Sequence, residues 1–290
     1  VETRLLLSFH LSLQPKKSCF FFMRRATGSG LLFLTLGFIT VLSCGKRASL
    51  PKFPDGQTYE TRAQLAIVKA VDFLNRHESI DLPLVFVSEF IKKRFNGTQL
   101  KKFPRPKARS SEIVYFSRLV DAGYRPPKNA IAAVRNPIDN FTLSALYCDR
   151  QGLPDDFFQR AEQLMDGRGY ALTHAALGTK WAHELGCLNA ALAAKLMAKE
   201  RALLARVGAE NEMPSDLAIE ALAMLYYLDA PELVKQEDLE NLIATQHTLG
   251  AWQPKSDVFE LNNHTTILAL WVLLESLNRK KVLSPWLQKD

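Results

Sequence analysis

HTTILAL, at residues 264–270, is the last of four variants of one phrase. NFTLSAL stands at 140–146, ALTHAAL at 171–177 and DLAIEAL at 216–222; all end in Ala-Leu, and they recur at intervals of 31, 45 and 48 residues. Those intervals match the length of a helix pair in helical-repeat proteins. A turn rich in Gly, Pro or Asn precedes each copy, and one further helix fits between it and the next. A small Ala at one fixed position suits helices that approach closely. The four phrases therefore read as equivalent inward helices of an all-α array of αα-hairpins.

Outward from the phrases, apolar residues keep helical spacing. Helices are expected over 139–149, 154–165, 170–187, 190–207, 214–228, 236–247 and 264–278. Pro154 and Pro214 stand at first turns, where their missing N–H costs nothing. Gly152, Gly167, Gly169, Gly186, Gly208 and Gly250 punctuate the gaps. Ahead of these lie a helix from Thr61 with Leu65, Val68, Val71 and Leu74 on one stripe, a second after Pro83, and a third over 111–120. Residues 96–110 read as a long connection carrying Gly97, Pro104 and Pro106. No segment shows sustained strand-like alternation.

The chain begins differently. Arg24 and Arg25 precede an apolar stretch over 31–42. Its ~12 residues suit a signal h-region and fall short of the ~20 that span a bilayer. Val41-Leu42-Ser43-Cys44 resembles the lipobox of bacterial lipoproteins, with Leu42 where that group usually has a smaller residue. The resemblance implies cleavage before Cys44, a lipid on its thiol, and a domain tethered to the periplasmic or extracellular side of a bacterial membrane. On this reading 1–22 is an upstream extension ahead of Met23, 23–43 the signal, 44–58 the tether and 59–290 the α/α-hairpin domain.

Net charge is +7, unevenly spread. Residues 44–128 carry 17 basic and 8 acidic groups, and residues 129–290 carry 15 and 21. The basic front, densest over 92–109, fits a nucleic acid in the cytoplasm. Outside the cytoplasm it fits an anionic membrane surface or an acidic glycan instead, or is a solvated face. The partners expected are the membrane, through Cys44, and an unidentified ligand or envelope protein; no nucleic acid is expected.

At the last phrase a second resemblance emerges. Gln246, Gly250 and Trp252, a loop, then HTTILAL look like one repeat of the α/α-toroid proteins, the group of terpene cyclases and protein prenyltransferases. The resemblance covers about a quarter of the tethered region and implies a complete or incomplete toroid. The Asp-rich acid motif of the cyclases is absent, as is an Asp, Cys and His set at the prenyltransferase zinc spacing. No cofactor and no metal is expected.

Position one of the phrase holds Asn140, Ala171, Asp216 and His264, position four His174 and position five Glu220. If the phrases line a toroid, Asn140, Tyr170, His174, Asp216, Glu220 and His264 face one mouth. His264, His174, Asp216 and Glu220 are then acid/base candidates. Asn140, Tyr170 and Trp252 are ligand-contacting candidates. The competing reading gives each a cap or a satisfied core position, and it is strongest for Asp216 as an N-cap. His183 and Cys187, four apart on one helix, offer a weak zinc spacing. Cys148 and Cys187, at the ends of two parallel helices, suit a disulfide better, with free buried thiols as the other alternative. Two function classes stay open. The first is a non-catalytic envelope lipoprotein binding a ligand or partner on its concave face. The second is an enzyme, a hydrolase, lyase or transferase, acting on an envelope glycan or isoprenoid.

Overall fold

The computed structural model describes residues 56–77, 81–96, 98–104, 112–253, 262–278 and 285–287. The signal at 23–43, Cys44, most of the tether and the basic residues at 105–109 lie outside the described residues. Those described are all helical apart from turns and loops, with no strand among them. None of their helices is long and apolar enough to cross a membrane.

Composition separates the helices into two classes. In α8 (Asp216–Tyr227) every residue from Ala218 to Tyr227 is buried, and in α10 (Asn263–Leu277) every residue from Thr265 to Leu273. A helix that is apolar all round belongs inside. α7 (Ala190–Glu210) buries only a stripe including Ala193, Leu196, Met197, Leu204 and Val207, and so lies outside. The four phrases fall in α3 (Pro137–Leu146), α6 (Gly169–Glu184), α8 and α10. α3 packs on α6, α6 on α8 and α8 on α10, so the phrases form one consecutive layer. Their shared alanines, Ala145, Ala176, Ala221 and Ala269, are fully buried. α3 and α6 approach closely at Gly178, where a Cβ would come within 2.5 Å of the Phe141 ring. α5 (Phe157–Gly167) and α7 cover this layer from outside, and α1 (Tyr59–Arg76) packs on α10 and α9 (Gln236–Ala244).

The layer also closes. α10 packs on α2 (Leu82–Arg94), α2 on the 3-10 helix Glu112–Leu119, and that helix on α3, so the inner contacts return to their start. One end of this cycle is filled by the C-terminal segment. Trp286 stacks on Phe90 of α2 with ring centroids 4.3 Å apart and meets Trp181 of α6, Tyr227 of α8 and Trp271 of α10 edge-on at 5.7–6.0 Å. Glu184 at the end of α6 accepts from the Leu287 N–H at 3.0 Å and the Tyr227 hydroxyl at 2.9 Å. Desolvation raises the Glu184 pKa, partly offset by those two donors, Lys180 and Arg94.

Local chemistry explains the departures from the expected boundaries. The helix expected over 139–149 divides at Tyr147 into α3 and α4 (Cys148–Gln151). Arg118 donates to the freed Leu146 carbonyl and forms a bidentate pair with Asp149, both side chains 2 % exposed. Cys148 and Cys187 form a disulfide with Cα atoms 6.1 Å apart, so Cys187 is not a metal ligand beside His183. The Gln and Gly of the last repeat fasten its loop to α1. Gln246 donates to the carbonyls of Ala66 and Gly250 at 2.8 and 2.9 Å. Gly250 has φ of 96°, and a Cβ there would lie 2.2 Å from the Lys69 carbonyl oxygen. The charge asymmetry is partly internal, because Arg62–Glu240, Arg94–Glu275 and Arg118–Asp149 tie the basic front to the acidic body.

Candidate functional site

Opposite the Trp286 end, the N-termini of the inner helices meet. Four of them, α2, α3, α8 and α10, start at a polar cap that is itself a turn former: Asp81 accepts from the Leu84 N–H, Asn136 from Ile138, Ser215 from Ala218 and Asn262 from His264; α6 starts at Arg168 with no side-chain cap. Because these caps satisfy the first-turn amides, the next polar side chains are free for other partners.

Asp216 is the centre of the cluster. Ser215 caps α8, so the expectation that Asp216 is the cap is corrected by one residue. Its Oδ1 accepts from His264 Nδ1 at 3.1 Å and from the Thr265 hydroxyl at 2.5 Å, and its Oδ2 accepts from the Tyr170 hydroxyl at 2.9 Å. Burial acts to raise the Asp216 pKa, but the His264, Thr265 and Tyr170 donors outweigh it and hold the carboxyl below its ordinary value. Burial acts likewise to lower the His264 pKa. The Asp216 hydrogen bond and charge, with Glu220 and Asp81 beyond, prevail and raise it to about 9. His264 is then protonated at neutral pH. Its Nε2 hydrogen-bonds to none of the described residues, and a third of the side chain is exposed.

A second pair stands one turn inward. His174 Nδ1 donates to the Tyr170 carbonyl at 2.9 Å and lies 3.9 Å from Glu220 Oε1. Glu220 follows Asp216 by one turn, is 8 % exposed, and takes no hydrogen bond from any described residue. Asp139, in the first turn of α3, completes the group. Burial raises its pKa, His174 opposes that, and Glu112 adds to it.

Two expected contacts are corrected. Asn140 is spoken for: its amide donates to the Ile131 and Val134 carbonyls and its oxygen accepts from Arg160 at 2.6 Å, tying α3 to the preceding loop and to α5. Trp252 is fully buried, with its indole N–H on the Leu242 carbonyl at 2.7 Å, so it holds the repeat together and touches no solvent. Asp139 takes the place expected of Asn140. The signal was present, since Asn136-Pro137 is a capped helix start and puts residue 139, not 140, in the first turn.

Tyr170, Asp216, His264 and Thr265 are thus joined by hydrogen bonds, with His174, Glu220 and Asp139 beside them. Chemically, the group offers one fixed cationic donor, His264 Nε2, one nearly buried carboxyl with no donor among the described residues, Glu220, and one half-exposed aromatic residue, Tyr170. No group of three or more His, Cys, Asp or Glu among the described residues can hold a metal ion. Compared with known proteins, the chain matches no protein-family model, no curated protein and no solved structure.

Proposed function

We propose that this chain is an envelope lipoprotein, lipidated at Cys44, whose helix cycle is an α/α toroid with a ligand-binding mouth. The observation that carries the site is the Asp216 carboxylate, fixed by donors from two neighbouring helices and fully used in holding His264 and Tyr170. Such a carboxylate positions other groups, and what it positions is a histidine with an open Nε2. A histidine oriented through Nδ1 by a buried carboxylate is arranged to interact through its other nitrogen. The cyclic helix contacts and the filled opposite end support a single entrance.

An enzymatic reading has its own support. Asp216 is held below and His264 raised above their ordinary pKa values, to about 9 for His264, while Asp139 is raised. Pairs of groups driven apart in this way supply an acid and a base at one pH. His264 would donate a proton from Nε2, and Glu220 or Asp139 would accept one, in a reaction on an envelope glycan or isoprenoid.

A metabolite and glycan library screened by thermal shift against the full chain, His264→Ala and Asp216→Asn tests the site. Hits that vanish in both variants support it, and hits indifferent to both overturn it. The anchor is tested separately, by the mass of Cys44-containing peptides from membranes: an unmodified thiol would remove that part of the proposal.

A further inference from the structure

The mouth contains a nearly buried carboxyl that accepts from none of the described residues. Glu220 is 8 % exposed and its side chain takes no hydrogen bond from a described residue; His174 Nδ1 lies 3.9 Å from its Oε1, beyond hydrogen-bond reach. A carboxylate removed from bulk water needs donors, from solvent or a ligand. One turn outward, His264 Nε2 presents the opposite requirement: on a protonated imidazole it is a donor without an acceptor among the described residues. Beside both, Tyr170 is 46 % exposed, unusual for a residue whose hydroxyl is pinned, here to Asp216 at 2.9 Å. Pinning the hydroxyl fixes the ring, so a ligand laid on it pays no entropy for ordering it.

These three features select among ligand classes. A simple anion would meet His264 but face Asp216, Glu220 and Asp81. An amine would meet Glu220 but offers no acceptor to His264 and lies against its positive charge. A sugar satisfies all three, because hydroxyls both donate and accept and the C–H face of a pyranose is apolar enough to lie on an aromatic ring. We infer that the mouth binds a saccharide, with Glu220 accepting from hydroxyls, His264 Nε2 meeting a hydroxyl or ring oxygen, and Tyr170 as the platform under the sugar face. This rests on the mouth being a ligand site.

The test is saturation-transfer NMR and calorimetry on the full chain with three neutral probes, chitotetraose, cellotetraose and maltotetraose, and two charged ones, spermidine and pyrophosphate. At least one oligosaccharide is expected to bind. Glu220→Gln is expected to weaken it by about tenfold, the worth of one hydrogen bond to a charged group. Tyr170→Ala is expected to weaken it at least as much, and Tyr170→Phe, which keeps the ring, to retain most of the affinity. If Glu220→Gln does not fold, the contrast between the two Tyr170 variants carries the test. The inference is overturned if no oligosaccharide binds, or if affinity is unchanged in the Glu220 and Tyr170 variants. Spermidine or pyrophosphate shifting the His264 ring protons in place of a sugar would keep the ligand site and overturn the saccharide. No probe shifting them would remove both.

Discussion

Asp216 Oδ1 lies 3.1 Å from His264 Nδ1 across 48 residues of sequence, and the charge state of each depends on the other. The folded His264 pKa, about 9, exceeds the unfolded 6.5, so the pair's stabilisation is complete below about pH 6.5 and is lost as pH rises through 9. Asp216 shifts the other way, and its share is present above its unfolded value of 3.8 and lost as acid protonates the folded carboxyl. Asp216→Asn is expected to bring the His264 titration, followed by ring-proton NMR, down by two units or so. It is also expected to flatten the stability slope between pH 6.5 and 9. A third of the His264 side chain is exposed, so solvent screening limits the loss to about 1–2 kcal/mol. An unchanged His264 titration in Asp216→Asn would show that the two are not coupled.

Trp286 is held by four aromatic rings, from three inner helices and α2. Trp286→Ala removes the side chain on which those rings converge and is expected to cost about 3–5 kcal/mol by denaturant unfolding. Glu184→Gln keeps the size but weakens the acceptor for Leu287 N–H and Tyr227, and is expected to cost about 1 kcal/mol. A Trp286→Ala protein as stable as the parent would mean that the C-terminal segment is not seated in the cycle.

The disulfide joins residues 39 apart, Cys148 after α3 and Cys187 after α6. A loop of that length, cross-linked in the unfolded chain, corresponds to about 3–4 kcal/mol by loop-closure entropy. Reduction, or the Cys148→Ser, Cys187→Ser double variant, is expected to lower stability by about that amount and leave the His264 titration in place. Alkylation with and without reductant, read by mass, checks the bridge directly, and two thiols free in the native protein would contradict it.

How far the sequence could be read turns on helix registers. The inner helices were legible because 218–227 and 265–273 are apolar on almost every side, broken only by Glu220, Thr265 and Thr266, and so apolar a segment has nowhere to go but the interior. The meeting of Tyr170, His174, Asp216, Glu220 and His264 followed from parallel helices with a shared phrase. Asn140 failed because α3 begins three residues before its phrase whereas α8 begins with it, so equal phrase positions are not equal heights. Trp252 failed because an aromatic residue before an inner helix gives no sign of which way its ring turns; here the Leu242 carbonyl decides. Trp286 was not anticipated at all. Nothing in the residues around it is periodic, and its place is set by four aromatic rings scattered from Phe90 to Trp271.

Gly250 tests the fastening of the last repeat. Its φ of 96° disfavours any other residue, and a Cβ would press on the Lys69 carbonyl at 2.2 Å, backbone that cannot swing aside. Gly250→Ala is expected to destabilise by about 1–3 kcal/mol, more than the gain from restricting the unfolded chain. Hydrogen exchange should quicken in α1 and the 246–252 loop before α6. Uniform loosening would mean that this loop is not the point of attachment.

Glu200 opposes folding where the Asp216–His264 pair supports it. It is fully buried on α7, with one oxygen accepting from Thr179 at 2.6 Å and the other without a partner among the described residues. Burial raises its pKa to about 7, against the opposing effects of the Thr179 hydroxyl and Arg201. A carboxyl with a folded pKa above its unfolded 4.5 stays protonated in the folded protein when the unfolded chain has already ionised. Stability therefore falls as pH rises from 4.5 to 7 and remains lowered above that. A shift of that size corresponds to an upper bound of about 3 kcal/mol. Glu200→Gln keeps the shape and an acceptor for Thr179 while removing the charge. It is expected to leave stability unchanged near pH 4.5, raise it by about 1–3 kcal/mol at pH 8, and remove the slope between. If Glu200→Gln is less stable at pH 8 than the parent, the carboxylate is satisfied in the folded protein and the burial argument for its pKa fails.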